Sequence, residues 1–249
     1  MESRSHTYKL TLSYDGTNYV GWQIQSNGTS IQGLIEKALM IVIGSPIRIY
    51  GAGRTDAGVH AMGQVAHFSL EQDLNCQQTL RSLNGILPYD IRILALVLVP
   101  NTFHAQYSAI GKEYHYHLWL EKTLSPFLRL YRYHVRDLSN IGYLHQAAQL
   151  FVGTHDFSTF TNHGSGIKRR VRTIHRLDVI EEEGGVRLEF EGNGFLYKMV
   201  RNIVGTLIET VRRKKSLKEI EHLLKIKNRQ MAGFTAPAHG LFLMRVIYH

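Results

Sequence analysis

Apolar residues in this chain recur at spacing two in some segments and at helical spacing in others, and both patterns appear in each half of the sequence. Tyr8, Leu10, Leu12 and Tyr14 alternate with Lys9, Thr11 and Ser13, the period of a strand buried on one face. Asp15-Gly16 ends that strand with a turn. Thr29-Ser30-Ile31-Gln32 fits a capping box, and Ile31, Leu34, Ile35, Ala38, Leu39 and Val42 follow at helical spacing until Gly44. An apolar strand from Ile91 to Val99 closes the first half. In the second half the pattern predicts a strand over 113–120, a helix from about Ser139 to Gly153, and strands around 172–181 and 186–191 split by Gly184-Gly185. An amphipathic helix over 195–211, a helix opened by Ser216 with Glu219 completing a capping box, and a closing strand over 241–248 complete it.

Neither half alternates strictly as strand, helix, strand. The expected class is therefore α+β, with two similar-sized domains, 1–107 and 108–249, each a mainly antiparallel sheet flanked by helices. A cleft between two such domains is the natural place for a polymer substrate and is the expected active cleft.

Composition narrows the partners. The chain carries 29 Lys and Arg against 20 Asp and Glu, a formal charge of +9, which favours a polyanion through phosphate neutralisation. Charge alone fits a basic, soluble surface equally well. A lone cysteine, Cys76, excludes an internal disulfide and any Cys-cluster zinc site, and suits a reducing compartment. The opening Met-Glu-Ser-Arg-Ser-His has no apolar signal core, and no run reaches the ~18 apolar residues of a membrane span, so a cytoplasmic location without membrane attachment is expected.

The densest chemistry lies in Gly51-Ala52-Gly53-Arg54-Thr55-Asp56-Ala57-Gly58-Val59-His60, where glycines surround one arginine and one aspartate. Val59-His60 replaces the Lys and Ser or Thr of a phosphate-binding loop, and Asp56 stands at the third glycine of the dinucleotide pattern, so neither nucleotide cradle is present. Local chemistry leaves two readings: a catalytic carboxylate, or a tight turn in which Asp56 caps backbone amides and pairs with Arg54. Tyr114, on the strand with His115, Tyr116 and His117, offers a ring and hydroxyl suited to stacking on an extruded base, or simply a core aromatic. His115 and His117 share a face but lack a third ligand, and no metal site is expected there. Arg201 borders the apolar stripe of its helix, where a guanidinium would seek a carboxylate such as Asp56, or else it is an ordinary surface arginine. Two basic clusters, Lys168-Arg169-Arg170 with Arg172 and Arg212-Arg213-Lys214-Lys215, could follow a phosphate backbone or form solvated faces.

Tyr14-Asp15-Gly16-Thr17 with Tyr19-Val20-Gly21-Trp22-Gln23, then Gly53 to Ala61, Tyr114 and Tyr116, Gly153-Thr154-His155-Asp156-Phe157, 195–205 with Met199-Val200-Arg201-Asn202, and 232–243 follow one another along the chain, and together they resemble the TruA group of tRNA pseudouridine synthases. The resemblance implies isomerisation of uridine to pseudouridine at positions 38, 39 and 40 of the tRNA anticodon arm, with no cofactor and no metal. It implies Asp56 as the essential aspartate, Tyr114 as the residue stacked on the target base, Arg54 as the holder of the flipped base, Arg201 as the aspartate's basic partner, and Leu243 as the apolar wall. It also implies a homodimer bridged by tRNA. Phe234 stands where the group often has proline, and Lys198 where it often has histidine or another polar residue. A catalytically silent tRNA-binding or RNA chaperone protein of the same fold is the alternative.

Overall fold

A computed structural model describes residues 5–138, 140–162 and 169–249. The expected helix start at Ser139 and Lys168 of the first basic cluster lie outside the described residues. The chain divides into two compact units, Met1–Ile110 together with Leu243–His249, and Gly111–Phe242. These differ from the expected ranges chiefly at the C-terminus, where Leu243–His249 of the closing strand and tail returns to the first unit.

In the first unit, β1 (His6–Tyr14) is the spine. It pairs antiparallel with β3 (His60–Leu70) and with β4 (Ile91–Val99). The order is β4, β1, β3, β10 (Leu241–Ile247), with the short β2 (Tyr50–Gly51) also on β3. The alternation of β1 does what its period dictates: Tyr8, Leu10, Leu12 and Tyr14 are buried. Helix α1 (Ile31–Ile43) buries Ile31, Ile35, Ala38 and Leu39 and ends at Gly44 in a left-handed conformation. Helix α2 (Cys76–Ile86) packs against β4 and α1.

The expected capping box at Thr29 is corrected. Ser30 is the N-cap, its hydroxyl accepting from Gly33 N at 3.2 Å. Gln32 is buried and otherwise engaged: its Nε2 donates to Ile49 O at 3.1 Å, and its Oε1 accepts from Gln23 Nε2 at 2.8 Å. It ties the helix start to two loops rather than closing a cap.

In the second unit, β5 (Gly111–Trp119), β9 (Gly185–Gly192), β8 (Val171–Glu182) and β7 (Gly153–Asp156) follow one another antiparallel, and β6 (Tyr133–His134) joins β5 in parallel. Helix α3 (Ile141–Gln149) is capped by Asn140, whose Oδ1 accepts from Tyr143 N at 2.8 Å, and lies on β8. It stops at Gln149 rather than near Gly153, which opens β7. Helix α4 (Met199–Arg212) buries Met199, Val200, Ile203, Val204, Leu207, Ile208 and Val211, each contributing about 2 kcal/mol of apolar burial. It begins later than expected because Lys198 is left-handed, with φ of 59°, and takes 195–198 out of the helix. A Cβ on Gly205 would stand 1.8 Å from Phe234 O, so segment 233–236 lies directly on the helix backbone. Helix α5 (Leu217–Ile226) starts as expected, with the Glu219 carboxylate accepting from Ser216 N at 2.6 Å. Among the described residues no helix is long and apolar enough to cross a membrane.

Candidate active site

The loop bearing Arg54 and Asp56 joins β2 to β3 in the first unit, and neighbouring segments fix it at several points. Thr55 O accepts from Trp22 N at 3.1 Å, and Asp56 O accepts from Val59 N at 3.1 Å to close a turn. Gln64 Nε2 donates to Gly53 O at 3.0 Å. The Thr55 and Tyr14 hydroxyls lie 2.8 Å apart. Burial raises the Tyr14 pKa to about 12, so its hydroxyl stays protonated and able to donate. Gly16 and Gly21 press on the loop from the other side: Cβ atoms there would lie 2.0 Å from Val59 O and 2.5 Å from Thr55 O. Nδ1 of the buried His60 stands 3.1 Å from Gly16 N and 3.0 Å from Asp15 Oδ1. The Tyr14-Asp15-Gly16 and Gly21-Trp22 motifs are thus the bed on which the aspartate loop rests. Asp56 is half-buried, Arg54 is exposed, and Leu243 is fully buried on β10 of the same unit.

Tyr114 and Arg201 belong to the second unit. Tyr114 is buried on β5 and meets Phe195 edge to face at 5.2 Å. Lys112, Tyr114 and Tyr116 share one face of β5 by strand alternation. Sequence reasoning passed over Lys112, although its spacing of two from Tyr114 is the signal that finds it. Burial, reinforced by the Arg172 charge, lowers its pKa to about 8. The Tyr116 hydroxyl donates to Pro237 O at 2.7 Å; burial raises its pKa, and Arg201 opposes that rise. Arg201 is half-buried, and its Nε donates to Ala236 O at 2.7 Å while its own carbonyl accepts from Ala236 N at 3.1 Å.

Asn202, quoted in the sequence only as the end of the Met199-Val200-Arg201-Asn202 motif and given no role there, explains how that segment is held. It is fully buried, its Nδ2 donating to Phe160 O and Asn162 Oδ1, its Oδ1 accepting from Arg229 Nη2 at 2.9 Å and Thr235 Oγ1 at 2.7 Å. Asp156, from the Gly153 to Phe157 motif, accepts from Ser158 N and pairs with Lys227 at 2.7 Å, a local structural task.

His115 and His117 do not act as a pair. His115 Nε2 lies 2.9 Å from Glu113 Oε1, and Glu113, His115 and Glu189 place their ligand atoms within 4.8 Å of one another. Two guanidiniums already engage those carboxylates, Arg176 at 2.6 Å and Arg187 at 2.7 Å from Glu189, so the cluster is an ion-pair lattice across β5, β9 and β8. Burial pushes the Glu189 pKa up, but the hydrogen bonds from Arg176 and Arg187 outweigh it and leave the carboxyl below its ordinary value. His117 pairs instead with Glu182 at 3.0 Å. In the basic clusters, Arg172 donates to Arg169 O at 3.0 Å, and Arg213 lies 3.9 Å from Glu209.

Residues 11–108 and 147–249 match the family model described as tRNA pseudouridine synthase. The chain belongs to the tRNA pseudouridine synthase family. It is 53% identical to tRNA pseudouridine synthase A 1 of Protochlamydia amoebophila (strain UWE25), covering 98% of this chain and 96% of that protein. It is 44% identical to tRNA pseudouridine synthase A of Bacillus sp. (strain KSM-64), over 96% of this chain and 98% of the relative, and 45% identical to the Chlamydia felis (strain Fe/C-56) protein of that name, over 96% and 90%. The family match includes Arg54, Asp56, Arg201 and Leu243, whereas Tyr114 falls between its two matched stretches.

Proposed function

We propose that the chain isomerises uridine to pseudouridine in tRNA, at positions 38, 39 and 40 of the anticodon arm, with Asp56 as the carboxylate that does the chemistry. The observation that carries this reading is the Asp56 loop itself: an aspartate in the family-matched span, set on a turn that Tyr14, Gly16, Gly21 and Gln64 hold in place. The reaction breaks the N1 to C1′ bond, rotates the uracil and joins C5 to C1′; N1 gains a proton and C5 loses one, so no external reactant is consumed. Asp56 serves either as nucleophile or as base in that sequence. Base extrusion comes first, because the reacting atoms are stacked in the stem. Tyr114 then supplies the stacking ring, Arg54 the hold on the displaced nucleotide, Arg201 the positive partner and Leu243 the apolar wall. The basic residues of the two clusters take phosphates, and the protein acts as a cytoplasmic homodimer.

The test is to incubate an unmodified tRNA transcript with the protein and map pseudouridine along the product. Pseudouridine confined to positions 38 to 40 supports the reading. Modification elsewhere would overturn the positional assignment, and tight binding without any pseudouridine would return the protein to the catalytically silent RNA-binding alternative.

A further inference from the structure

A run of aromatic rings lies on the first unit, outside the Asp56 loop. Tyr50 on β2 stacks on His67 of β3, centroids 5.4 Å apart and planes 29° apart. His67 lies 4.5 Å from His104, and His104 stacks on Tyr107 at 4.2 Å and 27°. Both ends reach solvent: Tyr50 is 47% exposed and Tyr107 78%. The exposed Arg48 places its guanidinium 5.6 Å from the Tyr50 ring centroid.

Backbone amides lock the two imidazoles. Ala105 N donates to His67 Nδ1 at 3.1 Å, and Gln106 N and Tyr107 N donate to His104 Nδ1 at 3.2 and 3.3 Å. A ring nitrogen that accepts from an amide carries no proton, so each Nδ1 serves as the acceptor and each ring is held in fixed orientation. Burial and the neighbouring His104 hold the His67 pKa below its ordinary value, in the same sense. An exposed tyrosine would gain nothing from such a foundation if it served only the core, which Tyr107 barely enters.

We propose that this platform stacks an unpaired nucleobase of the substrate RNA on its Tyr107 end, with Arg48 at the Tyr50 end answering a phosphate of the same strand. A preorganised π-face at one end of the run and a cation at the other, on a chain of net charge +9, match the chemistry of an unstacked nucleotide and its backbone. Tyr50 precedes Asp56 by six positions, a stretch that spans at most about 20 Å, which bounds how far the Tyr50 end of the run lies from Asp56. The inference rests on the RNA-modifying reading and adds to it a second base contact.

The experiment uses the full-length protein, an unmodified tRNA transcript substituted with photoreactive 4-thiouridine, and the variants Tyr107→Ala, Tyr107→Phe and Arg48→Ala. Binding, steady-state pseudouridine formation and the cross-linked peptide are all measured. Tyr107→Ala is expected to raise Kd and KM about tenfold with kcat unchanged, while Tyr107→Phe, which keeps the ring, behaves as the parent protein. Arg48→Ala should weaken binding and flatten its salt dependence. The cross-link should map to the peptide holding Tyr107. Unchanged tRNA binding by Tyr107→Ala, or equal loss in Tyr107→Phe, would overturn the platform. A parent protein that cross-links at Tyr107 but forms no pseudouridine would sink the enzymatic reading and leave the platform standing.

Discussion

A Cβ on Gly21 would lie 2.5 Å from the carbonyl oxygen of Thr55, the residue before Asp56. Gly21 also has φ of 102°, a conformation that costs an L side chain about 1–3 kcal/mol. Gly21→Ala should therefore displace the aspartate loop as well as strain its own turn. The expected outcome is a fall of about a hundredfold in kcat/KM, out of proportion to a modest drop in Tm. Steady-state kinetics and a thermal melt on the same preparation check it; unchanged kcat/KM would show that the loop does not depend on this contact.

Tyr14→Phe removes one hydroxyl and leaves Thr55 Oγ1 and Gln64 Nε2 without it. Both lie in the buried bed of the loop, so the loss should cost about 1–2 kcal/mol and lower Tm by about 3–6 °C. Denaturant titration measures it directly.

Asn202→Leu should be more damaging. The isostere cannot satisfy Phe160 O, Asn162, Arg229 or Thr235, and stranding buried polar groups costs about 2–4 kcal/mol. Because the same segment carries the Ala236 carbonyl bonded to Arg201, kcat should fall too in whatever fraction remains folded. Activity normalised to folded protein separates the two effects.

Acidification should weaken the fold before its carboxylates titrate. Burial lowers the pKa values of both His67 and His117 from the ordinary 6.5. Well above pH 6.5 neither folded nor unfolded imidazoles carry a proton, and they contribute no slope. Below it the unfolded chain binds protons that the native rings refuse, so stability declines as pH falls from 6.5 towards the folded values. Melts between pH 8 and pH 5 should show that decline, and His67→Gln should reduce its slope.

Much of the fold was legible wherever one face is buried and a turn marks the end. The bounds of β4 follow from its apolar run, and the buried face of β1 from its period of two. Strand β3 escaped because both its faces are largely covered, which erases the alternation, and Gly63 interrupts it. Helix α2 escaped because only Thr79 and Leu83 are buried, too thin a stripe to stand out. The left-handed Lys198 that delays α4 has a conformation that residue preference does not favour, so no local pattern announces it. At the site, the aspartate loop stood out for its glycines and one carboxylate. Tyr14 and Gly21 stood out only as parts of motifs and Gln64 not at all; that the three support the loop was not legible, since they reach it across sequence separations that no local pattern encodes.

The most direct test of Asp56 is a single-turnover assay with tRNA transcript tritiated at uracil C5, comparing the parent protein with Asp56→Asn, a near-isosteric change that keeps the loop's shape. C5 surrenders its hydrogen only on becoming the glycosidic carbon. Stoichiometric tritium release by the parent protein and none by Asp56→Asn, with tRNA bound equally by both, is the predicted result. Release by Asp56→Asn at the parental rate would contradict the assignment of the chemistry to Asp56.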